Sequence, residues 1–204
     1  MLGAILIISG PSGSGKSTLC KEMFKSVDNA FFSISTTTRP MREGEIDGVD
    51  YYFVSKDKFQ KDIKNSEFLE WAEVHGNYYG TSLGSVQKAL NDGKLIVFDI
   101  DVQGFELVKN SPFSDFCTSI FILPPNMSML KERLNTRGTD TKDTVDNRIK
   151  NATDELKYLY KYDYLIVNDD LKTARGKLKA IAKSAKLKPE SYKLKSFLDN
   201  WLKS

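Results

Sequence analysis

Eight consecutive residues, Gly10-Pro11-Ser12-Gly13-Ser14-Gly15-Lys16-Ser17, fit the pattern G-x-x-x-x-G-K-[ST] at every fixed position. Few folds accommodate it. The glycines let backbone N–H groups turn inward around phosphate oxygens, and the loop must run from a strand into a helix N-terminus. Both neighbours are present. Ala4–Ser9 is a near-continuous apolar run, as expected of a strand buried on both faces, and Thr18–Ser26 reads as a helix. Lys16 is placed to reach the β- and γ-phosphates of a nucleoside triphosphate, and the Ser17 hydroxyl to ligate Mg²⁺.

Short apolar runs of the same kind recur at Phe31–Ser35, Leu95–Ile100, Ser119–Leu123 and Tyr164–Asn168. Helical stripes lie between and after them. Val145, Ile149, Ala152, Leu156 and Leu159 step by four, three, four and three, and Ala174, Leu178, Ile181 and Ala185 form a second stripe. Leu194, Phe197, Leu198 and Trp201 mark a last amphipathic helix after Pro189, which is expected to pack on the core. The alternation predicts an α/β fold of three layers, with helices on both sides of a parallel sheet.

Two stretches break the alternation. Residues 35–84 are rich in Tyr, Gly, Thr and charge. They read as a strand at Tyr51–Ser55, a short helix at Lys56–Asn65 and a strand at Phe68–Val74, an inserted α+β lobe. Residues 126–143 are polar and arginine-bearing, as in a short helical lid. The expected organisation is one domain, with its core at about 1–34, 85–125 and 144–204. No internal repeat or flexible linker interrupts it.

A phosphate loop alone denotes a nucleotide binder. Asp101-Val102-Gln103-Gly104 mimics the D-x-x-G element of GTPases, but no N-K-x-D segment follows. A second anion site suggests itself after the second strand. Arg39 and Arg42, three residues apart and near Tyr51, can surround one phosphate with guanidinium forks and a hydroxyl. Arg133 and Arg137 are four apart and share a helix face, Gly138 follows, and Arg148 lies on the next helix away from its apolar stripe.

Taken in order, these segments resemble a guanylate kinase along nearly the whole chain. The matching residues are Gly10–Ser17, Ser35–Arg42 with Gly44 and Asp50-Tyr51, Glu70-Trp71, Gly76–Thr81, Asp99-Ile100-Asp101 with Gln103-Gly104, Arg133, Arg137-Gly138, Arg148 and Asn168-Asp169. The resemblance implies that Ser35, Arg39, Arg42, Tyr51, Glu70, Tyr79, Thr81 and Asp101 hold GMP, with Arg39, Arg42, Tyr51 and Tyr79 on its phosphate. It implies that ATP lies on Gly10, Pro11, Ser12, Gly13, Ser14, Gly15, Lys16, Ser17 and Thr18. Arg137 would stack on adenine, and Asn168 would touch its edge. Lys16, Arg39, Arg133, Arg137 and Arg148 would be the catalytic charges.

The chemistry is consistent with that implication. Guanine offers N1–H and the 2-amino group as adjacent donors and O6 as an acceptor. Glu70 can accept both donors, while Ser35 or Thr81 can donate to O6. Adenine would leave Glu70 partly unpaired, and sites built this way reject the wrong base by roughly 10⁴ or more. A phosphate acceptor is already anionic, so no general base is required, and the single histidine, His75, reads as structural. Catalysis then consists of alignment and charge stabilisation by Mg²⁺ and the arginines. Asp99 and Asp101, at the end of a buried strand, are candidates to order the metal's waters or the acceptor.

Net charge is +3, unevenly spread. Residues 171–204 carry ten Lys/Arg against two Asp/Glu, and the remainder 20 against 25. The basic segment reads as the solvated face of amphipathic helices, with nucleic acid as the rival partner. No apolar run is long enough to span a bilayer, and no leader is evident. Cys20 and Cys117 lack C-x-x-C spacing and read as reduced and structural. A cytoplasmic enzyme is expected, monomeric or homodimeric, using ATP and GMP or dGMP and contacting neither membrane nor nucleic acid. A catalytically silent binding module of the same fold would instead have an eroded loop or missing lid arginines, and this chain retains both features.

Overall fold

The computed structural model describes residues 2–74, 76–136 and 142–203, without the side chains of residues 142–144. His75, Arg137 and Gly138 lie outside the described residues. Nine strands and eight α-helices are described: β1 (Ala4–Ser9), α1 (Lys16–Phe24), β2 (Ala30–Phe32), β3 (Thr36–Thr37), β4 (Tyr52–Phe53), α2 (Lys56–Lys64), β5 (Phe68–Val74), β6 (Asn77–Ser82), α3 (Leu83–Asn91), β7 (Leu95–Asp99), α4 (Val102–Lys109), β8 (Cys117–Leu123), α5 (Met127–Asn135), α6 (Lys142–Glu155), β9 (Tyr164–Val167), α7 (Leu171–Ala185) and α8 (Leu194–Trp201).

The main sheet is parallel throughout, in the order β2-β7-β1-β8-β9. β1 is central and wholly buried, because every second side chain faces each of two cores. Ala4, Leu6 and Ile8 meet Leu19 and Met23 of α1 and Ala174, Leu178 and Ala182 of α7. Ile5 and Ile7 meet Val86 and Leu90 of α3 and Phe105 and Val108 of α4. The result is the three-layer α/β arrangement that the apolar runs predict.

A second sheet of four strands, β4-β3-β6-β5, carries the Tyr- and Gly-rich insertion. Phe59 of α2 anchors it, stacked on Phe68 at 4.4 Å and Tyr78 at 5.4 Å. A Cβ at Gly80 would lie 3.0 Å or less from both phenylalanine rings, so only glycine passes beneath them. Strands β3 and β6 carry no apolar alternation, so periodicity does not predict them. Backbone pairing forms them, with Thr36 opposite Gly80 and Glu70 opposite Thr81.

The lid stretch is less polar than its composition suggests. α5 and α6 share a small core of their own, Leu130, Leu134, Val145 and Ala152. Leu130 and Leu134 also abut the phosphate loop, within 3.4 Å of where a Cβ on Gly13 would stand. The last helix corrects an expectation. α8 forms as its periodicity predicts, but its stripe does not pack on the core: Phe197 is 52% exposed and Trp201 67%. Among the described residues no helix is long and apolar enough to cross a membrane.

Candidate active site

β1 ends at Ser9, and the chain turns through Gly10, Gly13 and Gly15, all at positive φ, into α1. Each glycine is there for a separate reason. A Cβ on Gly10 would meet the Ile122 carbonyl at 2.1 Å, and one on Gly15 would meet Asn168 Nδ2 at 2.2 Å. Ser9 Oγ ties the loop's base to the Ile100 carbonyl at 2.7 Å. The Lys16 ammonium donates to the Gly10 and Pro11 carbonyls at 2.5 and 3.3 Å, folded back along the loop it serves. Around this loop is a cavity of about 340 Å³ whose lining includes Gly10–Gly13, Gly15–Thr18, Tyr51, Asp99, Asp101 and Glu155.

The second cavity, of about 270 Å³, is lined by Ser35, Tyr51, Glu70, Ala72, Val74, Tyr79, Asp99, Ile100, Asp101 and Gly104. Glu70 comes from β5 and is 8% exposed. Its Oε1 accepts the Thr81 hydroxyl across the β5–β6 pair at 2.6 Å. Burial pushes the Glu70 carboxyl up to about 7, with Thr81 opposing the rise and Asp101 adding to it. The Thr81 proton is therefore committed to the acid. Of the two hydroxyls considered for O6, Ser35 is the one still facing the cavity without that commitment.

Tyr51 and Tyr79 both line this cavity, and their rings meet edge to face at 6.0 Å. Arg39 stands behind them, its guanidinium 5.4 Å from the Tyr51 ring centre and 5.7 Å from that of Phe53. It donates to Glu45 Oε1 and to the Pro40 carbonyl, each at 2.7 Å. Arg42 is exposed, and its backbone N–H donates to the other Glu45 oxygen at 2.8 Å. Neither arginine lines the cavity wall in this state. Of the expected clamp, Tyr51 and Tyr79 stand on the cavity wall, while Arg39 and Arg42 are both engaged by Glu45, an acid that no motif singles out.

The observation that decides the arrangement is the wall between the cavities. Tyr51, Asp99, Ile100 and Asp101 line both. A phosphate loop and a base-sized pocket therefore open on one cleft. The family model described as guanylate kinase matches residues 3–185.

The chain belongs to the guanylate kinase family.

Among curated relatives, guanylate kinases of Wolinella succinogenes, Sulfurimonas denitrificans and Helicobacter hepaticus are 54%, 53% and 52% identical over 199 residues. In each case 98% of this chain is covered, with 92%, 96% and 98% of the respective relative. A crystal structure of guanylate kinase from Anaplasma phagocytophilum superposes with a TM-score of 0.76 at 32% identity, covering 92% of this chain and 88% of that one.

The remaining guanylate kinase motif residues divide between the loop and the lid. Arg148 of α6 donates to Ser12 Oγ at 3.3 Å, and Arg133 of α5 donates to the Asn168 backbone carbonyl at 3.0 Å. Both lid arginines therefore already reach the phosphate loop or its support. Arg137, expected over adenine, lies outside the described residues. Asn168, expected at the adenine edge, has a structural job as well. Its side-chain amide is buried and donates to the Ser14 carbonyl at 2.9 Å, so it braces the phosphate loop from β9. Asp101 likewise does more than expected: it caps α4, accepting from the Gln103 and Gly104 N–H groups at 3.1 and 2.9 Å.

Asp99 ends β7 on the shared wall. Burial raises its carboxyl, and Lys16 draws it back. With the Ser17 hydroxyl it supplies the hard oxygen donors that suit Mg²⁺. Among the described residues no group of three or more Asp, Glu, His or Cys is placed to hold an ion unaided. The two cysteines are buried, free and pushed up to about 12, which keeps them as inert thiols.

Proposed function

We propose that this chain transfers the γ-phosphoryl group of ATP to GMP, giving ADP and GDP, with dGMP as an alternative acceptor. The cleft shared by the two cavities carries the reading, because phosphoryl transfer between two nucleotides needs donor and acceptor phosphates in line. ATP would lie on Gly10–Thr18. Backbone N–H groups and Lys16 would hold its β- and γ-phosphates. Guanine would lie against Glu70, whose ionised carboxylate accepts N1–H and the 2-amino group, with Ser35 donating to O6. Tyr51 and Tyr79 would meet the GMP phosphate first. Arg39 and Arg42 would complete its shell as Glu45 gives up or shares the Arg39 guanidinium.

Mg²⁺, held by Ser17 and through water by Asp99, would neutralise charge on the β- and γ-oxygens. Arg133, Arg137 and Arg148 would bring further positive charge over the transferring group. Residues 35–84 and 126–143 act as the two lobes that exclude water, since an open cleft would spend ATP on hydrolysis. No side chain need remove a proton, because the attacking phosphate oxygen is already anionic.

A coupled ADP-release assay tests the proposal, with GMP, dGMP, AMP, CMP and UMP offered at equal concentration. Turnover with GMP and dGMP at least about 10³-fold above AMP is the expected result, given the donor pattern that Glu70 reads. Equal turnover of AMP and GMP would overturn it.

A further inference from the structure

The phosphate cavity has more acids than bases in its own wall. Among the described residues that line it, Lys16 is the one cation, while Asp99, Asp101 and Glu155 are all carboxylic acids. Two of these three are explained above, Asp99 by the metal and Asp101 by the α4 cap. Glu155 is not. It is the last residue of α6, the lid helix that also carries Arg148 against Ser12 of the phosphate loop. From there the backbone tightens into a 3-10 turn at Leu156–Lys161, whose Leu156 and Leu159 pack into the core beside α4. Glu155 is thus held at the lid's root and half-buried against the loop. It lies within the electrostatic reach of both Lys16, which stabilises its charge, and Asp101, which opposes it; burial is the larger influence and raises its carboxyl.

An acid so placed repels whatever anion enters. The repulsion scales with ligand charge. Metal-free ATP near neutral pH carries about four negative charges, and its magnesium complex about two, so the same carboxylate acts about twice as strongly, in free energy, on the free nucleotide. We infer that Glu155 is a specificity-determining residue: it makes the phosphate cavity discriminate against uncomplexed ATP and so admit the magnesium complex. This rests on the reading of the cavity as the ATP site. It gives the lid root a function in ligand choice, because a donor bound without metal would occupy the cleft unproductively.

The test is a binding measurement, not a rate. Dissociation constants for ATP in EDTA and for ATP in excess Mg²⁺ are measured by titration calorimetry at pH 8 and fixed ionic strength. Wild type, Glu155→Gln, Glu155→Asp and Glu132→Gln are compared. Glu132 is an exposed lid carboxylate outside the cavity wall. Wild type should prefer the magnesium complex. Glu155→Gln should bind free ATP about tenfold tighter and the complex no more than about threefold tighter, since halving the ligand charge halves the logarithm of the effect. Glu155→Asp, which keeps the charge, and Glu132→Gln should both retain the wild-type ratio. A Glu155→Gln ratio equal to wild type overturns the inference, as does a ratio moved as far by Glu132→Gln. If Glu155→Gln fails to fold, an Asp variant that has lost the preference overturns it and one that keeps it supports it. Wild type that binds neither form of ATP would instead defeat the assignment of the cavity.

Discussion

The Glu70 carboxylate is buried where water cannot solvate its charge, and it accepts one hydroxyl in return. Two consequences follow at the level of this single side chain, with opposite pH signs. In the folded protein its pKa is about 7, against an ordinary 4.5. Between those values the folded chain keeps a proton that the unfolded chain has lost. Its contribution to stability is therefore complete below about pH 4.5 and is lost as pH rises to about 7. Across that window the shift corresponds to roughly 3 kcal/mol. Urea melts of wild type and Glu70→Gln at pH 5 and pH 8 should show the variant losing less stability on the alkaline side, by up to that amount. Guanine, by contrast, needs the ionised form as its double acceptor, so GMP affinity should rise with pH through about 7. The GMP phosphate titrates nearby, and Glu70→Gln, which retains that titration, is the control. In the variant GMP binding should weaken about a hundredfold or more at pH 8, with ATP binding within about threefold of wild type. GMP affinity that follows the same pH curve in both proteins would remove Glu70 from base recognition.

At the level of elements, Asp101 combines two roles that substitution can separate. Its carboxylate starts α4 by accepting two backbone N–H groups, and it faces the cleft. Asparagine caps a helix as well as aspartate does, and alanine does not. Asp101→Asn should therefore melt within about 1 °C of wild type. Asp101→Ala should lose about 1 kcal/mol, or roughly 2–4 °C for a domain of this size. Both should raise KM for GMP if the charge itself is used; a wild-type KM in the Asn variant would leave capping as the sole role. The same overlap explains what was legible in the sequence. β1, β7 and β8 were readable because buried parallel strands are apolar on both faces, and Phe68–Val74 was placed to the residue. β3 and β6 are not, because β3 is only two threonines long and β6, Asn-Tyr-Tyr-Gly-Thr-Ser, leaves no apolar alternation to detect. The phosphate loop, Glu70 and Tyr51 were named from motif order. Glu45 and Glu155 were not: an isolated acid carries no local signal, and only the fold brings one to Arg39 and the other to the phosphate loop. Asn168 is legible as a motif residue, but its bond to Ser14 is not, since that bond spans 154 positions.

At the level of the whole molecule, the chain beyond α7 consists of two parts with different attachments. Residues 186–192 cross the foot of the main sheet. There the Leu2 N–H donates to the Ser191 carbonyl at 2.7 Å, and the Lys188 ammonium donates to the Cys117 carbonyl at 2.5 Å, pinning the starts of β1 and β8. Residues 193–204 hold α8, with Leu194, Phe197, Leu198, Trp201 and Leu202 all exposed. Amphipathic spacing predicts a helix and an apolar face, but not what covers that face, which is why packing on the core was expected and is not found. The family match also ends at residue 185, before either part. Removing 193–204 should therefore leave catalysis intact and lower Tm by no more than about 3 °C, because little apolar area leaves the interior. Removing 186–204 takes away a backbone hydrogen bond and a charged one at a buried edge. That loss is roughly 2–4 kcal/mol, or about 5–15 °C. Scanning calorimetry of the two truncations distinguishes the parts. A shorter deletion as costly as the longer one would show that α8 is buried against the domain in solution. Equal and negligible losses would show that the crossing segment does not hold the sheet.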